Sequence, residues 1–159
     1  MEFELTAHPI EYLTATLAGS YQDAYLTQGA TAAQKKLNPT LGVAGDDIPN
    51  VPKVQFDLGL NYTRPVTGNW LGVMAADISY RDAENAYFSS NATFNIPLAP
   101  YTIANVRLGA IYGPWSVTAF ARNVTDKRAE VSAINSSQDP HAFLTIRPRT
   151  IGLTLTRKF

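Results

Sequence analysis

The chain has 159 residues, and its 13 Lys and Arg balance 13 Asp and Glu, so a formal net charge of zero gives no footing to a polyanionic partner such as nucleic acid. Cysteine is absent, which excludes disulfides, thiolate metal ligands and cysteine nucleophiles together. The most apolar stretch, Trp70 to Ile78, is about half the ~18 residues that a transmembrane helix needs. The amino-terminal segment Met1 to Pro9 has neither the basic start nor the apolar core of a signal peptide. The chain is therefore either a soluble protein or a piece of a longer one that carries its own export signal.

Helical periodicity is poor everywhere, whereas period-two alternation recurs at regular intervals. The pattern predicts seven strands, at 2–7, 13–24, 54–63, 70–81, 101–112, 115–123 and 149–159. The second sets Leu13, Ala15, Leu17 and Tyr21 against Thr14, Thr16, Ser20 and Gln22. The third sets Phe56, Leu58, Leu60 and Tyr62 against Gln55, Asp57 and Asn61. In the fifth, Ala104, Val106, Leu108, Ala110 and Tyr112 oppose Asn105 and Arg107. In the sixth, Trp115, Val117, Ala119 and Ala121 oppose Ser116, Thr118, Phe120 and Arg122. The last puts Ile151, Leu153, Leu155 and Phe159 on one face, and Gly152, Thr154, Thr156 and Lys158 on the other. Leu71, Val73, Ile103, Ile111 and Phe120 depart from the pattern by falling on the polar face, and Asp23 and Arg157 by falling on the apolar one.

The connections alternate in length. Those around His8–Tyr12, Arg64–Asn69 and Gly113–Pro114 are short and carry turn residues, and those at 25–53, 82–100 and 124–148 are long. Large aromatics mark the strand ends on the apolar face: Tyr62, Trp70, Tyr112, Trp115 and Phe159 beside the short turns or the terminus, Tyr21 and Tyr80 near the long loops. Trp70 to Tyr80 spans ~34 Å of strand. At ~45° tilt this projects onto ~24 Å, close to the ~25 Å apolar band of an outer-membrane β-barrel.

Particular residues then carry a family resemblance. Arg122-Asn123-Val124-Thr125-Asp126 resembles the segment that follows the penultimate strand in TonB-dependent receptors. Pro148-Arg149-Thr150-Ile151-Gly152 is similar to their entry into the last strand, and the sequence closes on Phe159. Ile48-Pro49-Asn50-Val51-Pro52 and Tyr101 to Gly109 resemble further segments of the same family; Arg157 departs from it, standing where an aromatic is frequent. The resemblance implies an all-β fold: an antiparallel transmembrane β-barrel segment, about seven strands of a 22-stranded barrel, forming a curved open sheet when isolated. It implies that 1–159 is the C-terminal portion of the barrel domain, with plug and N-terminal strands absent. It also implies a receptor that imports a siderophore, cobalamin or glycan. The implied partners are outer-membrane lipid, the barrel-assembly machinery, the rest of the barrel and the plug, with TonB reached only through the plug.

Two other readings stay open at this point: a complete small outer-membrane barrel acting as adhesin or scaffold, and a soluble β-sandwich that binds a ligand. The first needs an even strand count, the second an apolar core between its faces.

Candidate luminal residues are Asp77, Arg81, Asn105, Arg107 and Arg122, with Lys158 on the same face; they line a solute path, touch the plug, or serve only as a charge-paired wall. Asp46, Asp47, Arg81, Asp82, Glu84, Lys127, Arg128 and His141 sit on the long loops as possible ligand contacts. Phe159 is the candidate signal for barrel assembly. No catalytic, cofactor or metal site is expected: His8 and His141 lack metal-ligand spacing, and no nucleophile elbow is present. The sequons at Asn61, Asn91, Asn123 and Asn135 carry no meaning outside a eukaryotic secretory route.

Overall fold

The structure, a computed structural model, describes residues 1–90, 95–134 and 142–159. Seven strands form one antiparallel sheet: β1 (Glu2–Ala7), β2 (Leu13–Tyr21), β3 (Val54–Thr67), β4 (Trp70–Arg81), β7 (Tyr101–Tyr112), β8 (Trp115–Arg122) and β11 (Thr150–Arg157). Each pairs with its sequence neighbour in that order, so β1 and β11 are the two edges and do not meet. The expected sheet is present, and it is open.

The bounds differ from the periodicity at four places, the smallest being β8, which ends at Arg122 and not at 123. β2 ends at Tyr21, because beyond Gln22 the chain turns off the sheet and Asp23 instead holds Lys53 at 3.1 Å. β3 runs on to Thr67 through an irregularity between Pro65 and Thr67, so the connection shrinks to Gly68–Asn69. A bulge next to the turn is where a strand tolerates proline, which has no amide to give the ladder. β11 covers 150–157, leaving Lys158 and Phe159 beyond it. At Gly113 the tight turn between β7 and β8 needs φ +52, a conformation glycine adopts without strain.

The long connections hold structure that alternation alone does not announce. Helix α1 (Ala32–Leu37) starts at Thr31, whose hydroxyl accepts from the Gln34 amide while the Gln34 side chain accepts from the Thr31 amide. This capping box is readable as Thr-x-x-Gln, a local helix signal that periodicity does not register over six residues. Two small hairpins follow, β5 (Glu84–Asn85) with β6 (Pro97–Leu98), and β9 (Glu130–Ile134) with β10 (Ala142–Thr145). Among the described residues the buried apolar cluster lies here, not against the sheet: Ala86, Ile96, Leu98 and Ala133, with Tyr87 packed beside them.

The registers place the main apolar row of each of the seven strands on one face. One row runs Ala7, Ala15, Leu60, Ala76, Val106, Ala121, Ile151; the next runs Leu13, Tyr62, Met74, Leu108, Ala119, Leu153. A register slip of one residue would have reversed this in any strand, and none occurs in these rows. The face is uncovered: Met74 is 55% exposed, Leu108 60%, Leu153 70% and Ile151 74%. The sandwich reading needed a second layer here, and the small-barrel reading needed closure. The single open sheet provides neither.

An uncovered apolar sheet in water is an aggregation surface. The isolated chain, refolded without detergent, is expected to sediment as aggregate and to become dispersed on addition of detergent micelles. A monodisperse monomer in plain buffer would contradict the exposed face.

Candidate functional site

The face opposite the apolar one carries the polar residues, because side chains alternate strictly along each strand. Asp77 on β4 stands opposite Asn105 on β7, and the Asn105 amide group donates to the Asp77 carboxylate. The Asn105 Oδ1 in turn accepts the Asn123 backbone N–H at 2.8 Å. Arg107 faces Ala75 on one side and Phe120 on the other. The Arg122 guanidinium lies 5.2 Å from the Phe120 ring centroid, within cation–π range. Asp77, Asn105, Arg107 and Arg122 line a single cavity of about 310 Å³, together with Thr118, Phe120 and Thr154.

Phe120, a departure from strict alternation, has a reason at this site. Its ring lies over Gly152 on β11, where an added Cβ would come within 2.5 Å of the ring edge. Glycine here admits the aromatic as the floor of the cavity. The other inward apolar residues also keep their predicted face: Leu71 pairs with Ile111 towards the short turns, and Val73 with Gly109.

Arg81 is not part of this cavity. It ends β4, binds both Glu84 carboxylate oxygens at 3.1 and 2.9 Å, and donates to the Asn50 carbonyl at 3.0 Å. Its work is to fasten two long loops to the wall. Lys158 sits at the opposite end, where its backbone N–H reaches the Pro114 carbonyl at 2.9 Å.

The loop residues proposed as ligand contacts are largely engaged internally. Asp46 is buried and accepts from the Val43 amide at 2.8 Å, the Ser89 hydroxyl at 3.1 Å, and the Ser90 amide and hydroxyl at 3.0 and 2.5 Å. Burial alone would raise its pKa; the bonds from Ser90, Val43 and Ser89 outweigh that and hold it below the usual carboxylate value. Asp47 and Asp23 share Lys53, Asp82 accepts from Tyr80 and Ala83, Glu84 takes Arg81, and Arg128 pairs with Asp126. His141 lies outside the described residues, as do Asn91 and Asn135.

Sequence reasoning missed the structural core of the Arg-Asn-x-Thr-Asp segment. Asn123 is buried at φ +50, a left-handed conformation that asparagine tolerates better than most residues. Its side chain accepts from the Lys127 amide and donates to the Lys127 and Arg147 carbonyls, all at 2.9–3.0 Å. The Asp126 carboxylate accepts the Arg149 backbone N–H at 2.8 Å, and this bond, with the nearby Arg128 and Arg149, lowers its pKa against the opposing effect of desolvation. The two motifs that suggest the family thus clasp each other across the loop and set the entry of β11. At the far end of β11, Arg157 lies 5.3 Å from the Trp115 ring centroid and 5.0 Å from that of Phe159. A cation between two rings reconciles its charge with the apolar face.

Asn123→Ala in a folded barrel is expected to cost about 2–4 kcal/mol, combining unpaired backbone groups with left-handed strain. Asn123→Gly relieves only the strain and should recover the smaller part. Urea unfolding of both variants in detergent checks the order; an unaffected alanine variant would remove the clasp.

Among the described residues no helix is long and apolar enough to cross a membrane, which says nothing about strands. A search of curated proteins by sequence gives no match. The family model for the TonB dependent receptor-like β-barrel matches residues 1–124 of the 159. The fold is similar to BauA, the ferric preacinetobactin receptor of Acinetobacter baumannii, with TM-score 0.69 and 20% identity over 99% of this chain and 21% of that one. It is also similar to PfeA, a ferric enterobactin receptor from Pseudomonas aeruginosa, crystallised with enterobactin, with TM-score 0.65 and 17% identity over 99% of this chain and 22% of that one. The chain therefore spans about a fifth of the length of these receptors. With most of its sequence under the family model, and the fold shared along nearly its whole length, the chain belongs to the TonB-dependent receptor-like β-barrel family.

Proposed function

We propose that the chain forms the last seven strands of a larger barrel, of about 22 strands, in the outer membrane of a Gram-negative bacterium. In this reading the barrel imports a scarce nutrient with energy from TonB, acting through a plug domain outside these residues. Members of the family are receptors and transporters, and no enzymatic role is assigned to this chain. The observation that carries the reading is the seven-strand sheet with one uncovered apolar face, aromatic ends and two unpaired edges. In hydrocarbon an unpaired edge leaves backbone groups unsatisfied at several kcal/mol each, so β1 and β11 call for further strands. Ferric siderophores are the nutrient class to test first, since the similar receptors carry that description. Cobalamin and glycans are the alternatives.

The wall residues Asp77, Asn105, Arg107 and Arg122 then face the lumen, and the Leu108 row faces lipid. Leu108→Arg or Ala119→Arg in the intact barrel should cost ~2–4 kcal/mol, since both lie in the middle rows of the apolar band. Thr118→Arg, one residue away but on the other face, should cost far less. Refolding titrations into lipid vesicles measure this, and equal losses would overturn the assignment of faces. Uptake of a radiolabelled ferric siderophore by cells, with and without the receptor, tests the nutrient class.

Phe159 is proposed to carry information for the barrel-assembly machinery, supported by its exposure beyond β11 on the apolar face. Removing it from the intact receptor should lower the yield of heat-modifiable barrel in the outer-membrane fraction. An undiminished yield would count against that role.

A further inference from the structure

The wall is divided by charge. Its inward face carries Glu2, Glu4, Asp57 and Asp77 on β1, β3 and β4, and Arg107 and Arg122 on β7 and β8. The acids nearest the cationic half are already engaged, Asp57 by the Ser79 hydroxyl and Asp77 by Asn105. Among the described residues no carboxylate pairs with Arg107 or Arg122. Arg81, the other arginine on this face, has its charge paired by Glu84 and also bonds the Asn50 carbonyl.

Two guanidinium groups on neighbouring strands flank Phe120, with the Thr118 and Thr154 hydroxyls in the same cavity. Stacking on a ring leaves the in-plane N–H donors of Arg122 available, and that fork matches the two oxygens of a carboxylate. The concave face of a barrel wall also limits solvent screening relative to an open surface, so the cationic pair attracts anions more strongly. Phe120 offers an apolar surface to the body that bears the anion.

We propose that Arg107 and Arg122, over the Phe120 floor, form a binding site for a carboxylate-bearing group inside the barrel. The site rests on the luminal assignment made above. The carboxylate has two possible sources: a free anionic solute on its way through the lumen, or an acidic side chain of a domain seated there. Asp77 lines the same cavity, but its carboxylate is bonded by the Asn105 amide group and not ion-paired to either arginine.

The test uses the intact receptor in detergent at low ionic strength, with citrate as probe in calorimetric titration. Wild type, Arg107→Gln, Arg122→Gln and Arg107→Lys are compared, each first checked for heat-modifiable migration as a folded barrel. If the source is solute, citrate binds, each glutamine variant weakens it about tenfold or more, and the lysine variant retains part of the affinity. If the source is an internal acidic side chain, citrate does not bind. The Arg107→Gln/Arg122→Gln double variant then lowers the urea concentration at which the channel opens in planar-bilayer conductance. Citrate binding that ignores the arginines overturns the proposal, as does absence of both citrate binding and a shift in urea threshold with folded barrels. Failure of the wild type to migrate as a barrel would instead bring down the membrane reading, and this site with it.

Discussion

Backbone hydrogen bonding governs this molecule. In hydrocarbon no water is present to satisfy an N–H or a carbonyl, so a spanning chain must pair every one internally. The five inner strands are paired on both sides over most of their length, through antiparallel ladders such as the one from Gln55↔Arg81 to Pro65↔Leu71. The edges β1 and β11 are paired on one side only. In the proposed membrane setting, those unpaired sides are what call for further strands. The uncovered apolar face is the complement of that requirement: the second layer that a soluble sheet would supply is replaced by lipid in the proposed setting.

The long-loop side obeys ordinary aqueous rules and is built differently. It has its own buried cluster around Leu98, and carboxylates with their acceptors filled, as at Asp46. The two regimes are joined by a few polar residues at the strand ends. Arg81 ties the end of β4 to Glu84 and Asn50, while Asn105 and Asn123 link the β7 wall to the loop that leads into β11. Of these anchors, Asn105 also lines the cavity of Arg107 and Arg122, so one loop and the wall share a support there.

Much of this was legible in the sequence, for a physical reason. A sheet with one apolar and one polar face writes its register directly into period-two alternation, so Leu108 and Arg107 could be assigned opposite faces before any coordinates. The candidate luminal residues Asp77, Asn105, Arg107 and Arg122 fell together because registry across β4, β7 and β8 aligns them. Arg81 did not join them, since the end of a strand belongs as much to its loop as to its wall. What alternation could not reveal was the use made of non-periodic residues. Asp46 reads as an available loop acid, yet its partners Ser89 and Ser90 lie more than forty residues away. Phe120 reads as a departure until Gly152 is found across the ladder, and Asn123 reads as a motif letter until its three side-chain bonds are traced. Helix α1 is too short for periodicity and betrays itself only through its capping box.

The central claim is that one face of this sheet meets lipid and the other meets water. Spin labels placed singly at residues 70–81 of the intact receptor in vesicles would read it most directly, through relaxation by oxygen and by a water-soluble nickel chelate. Oxygen accessibility should peak at Gly72, Met74, Ala76 and Ile78 and fall at Val73, Ala75 and Asp77, with a strict period of two. Equal accessibility along the strand, or the opposite phase, would contradict the account.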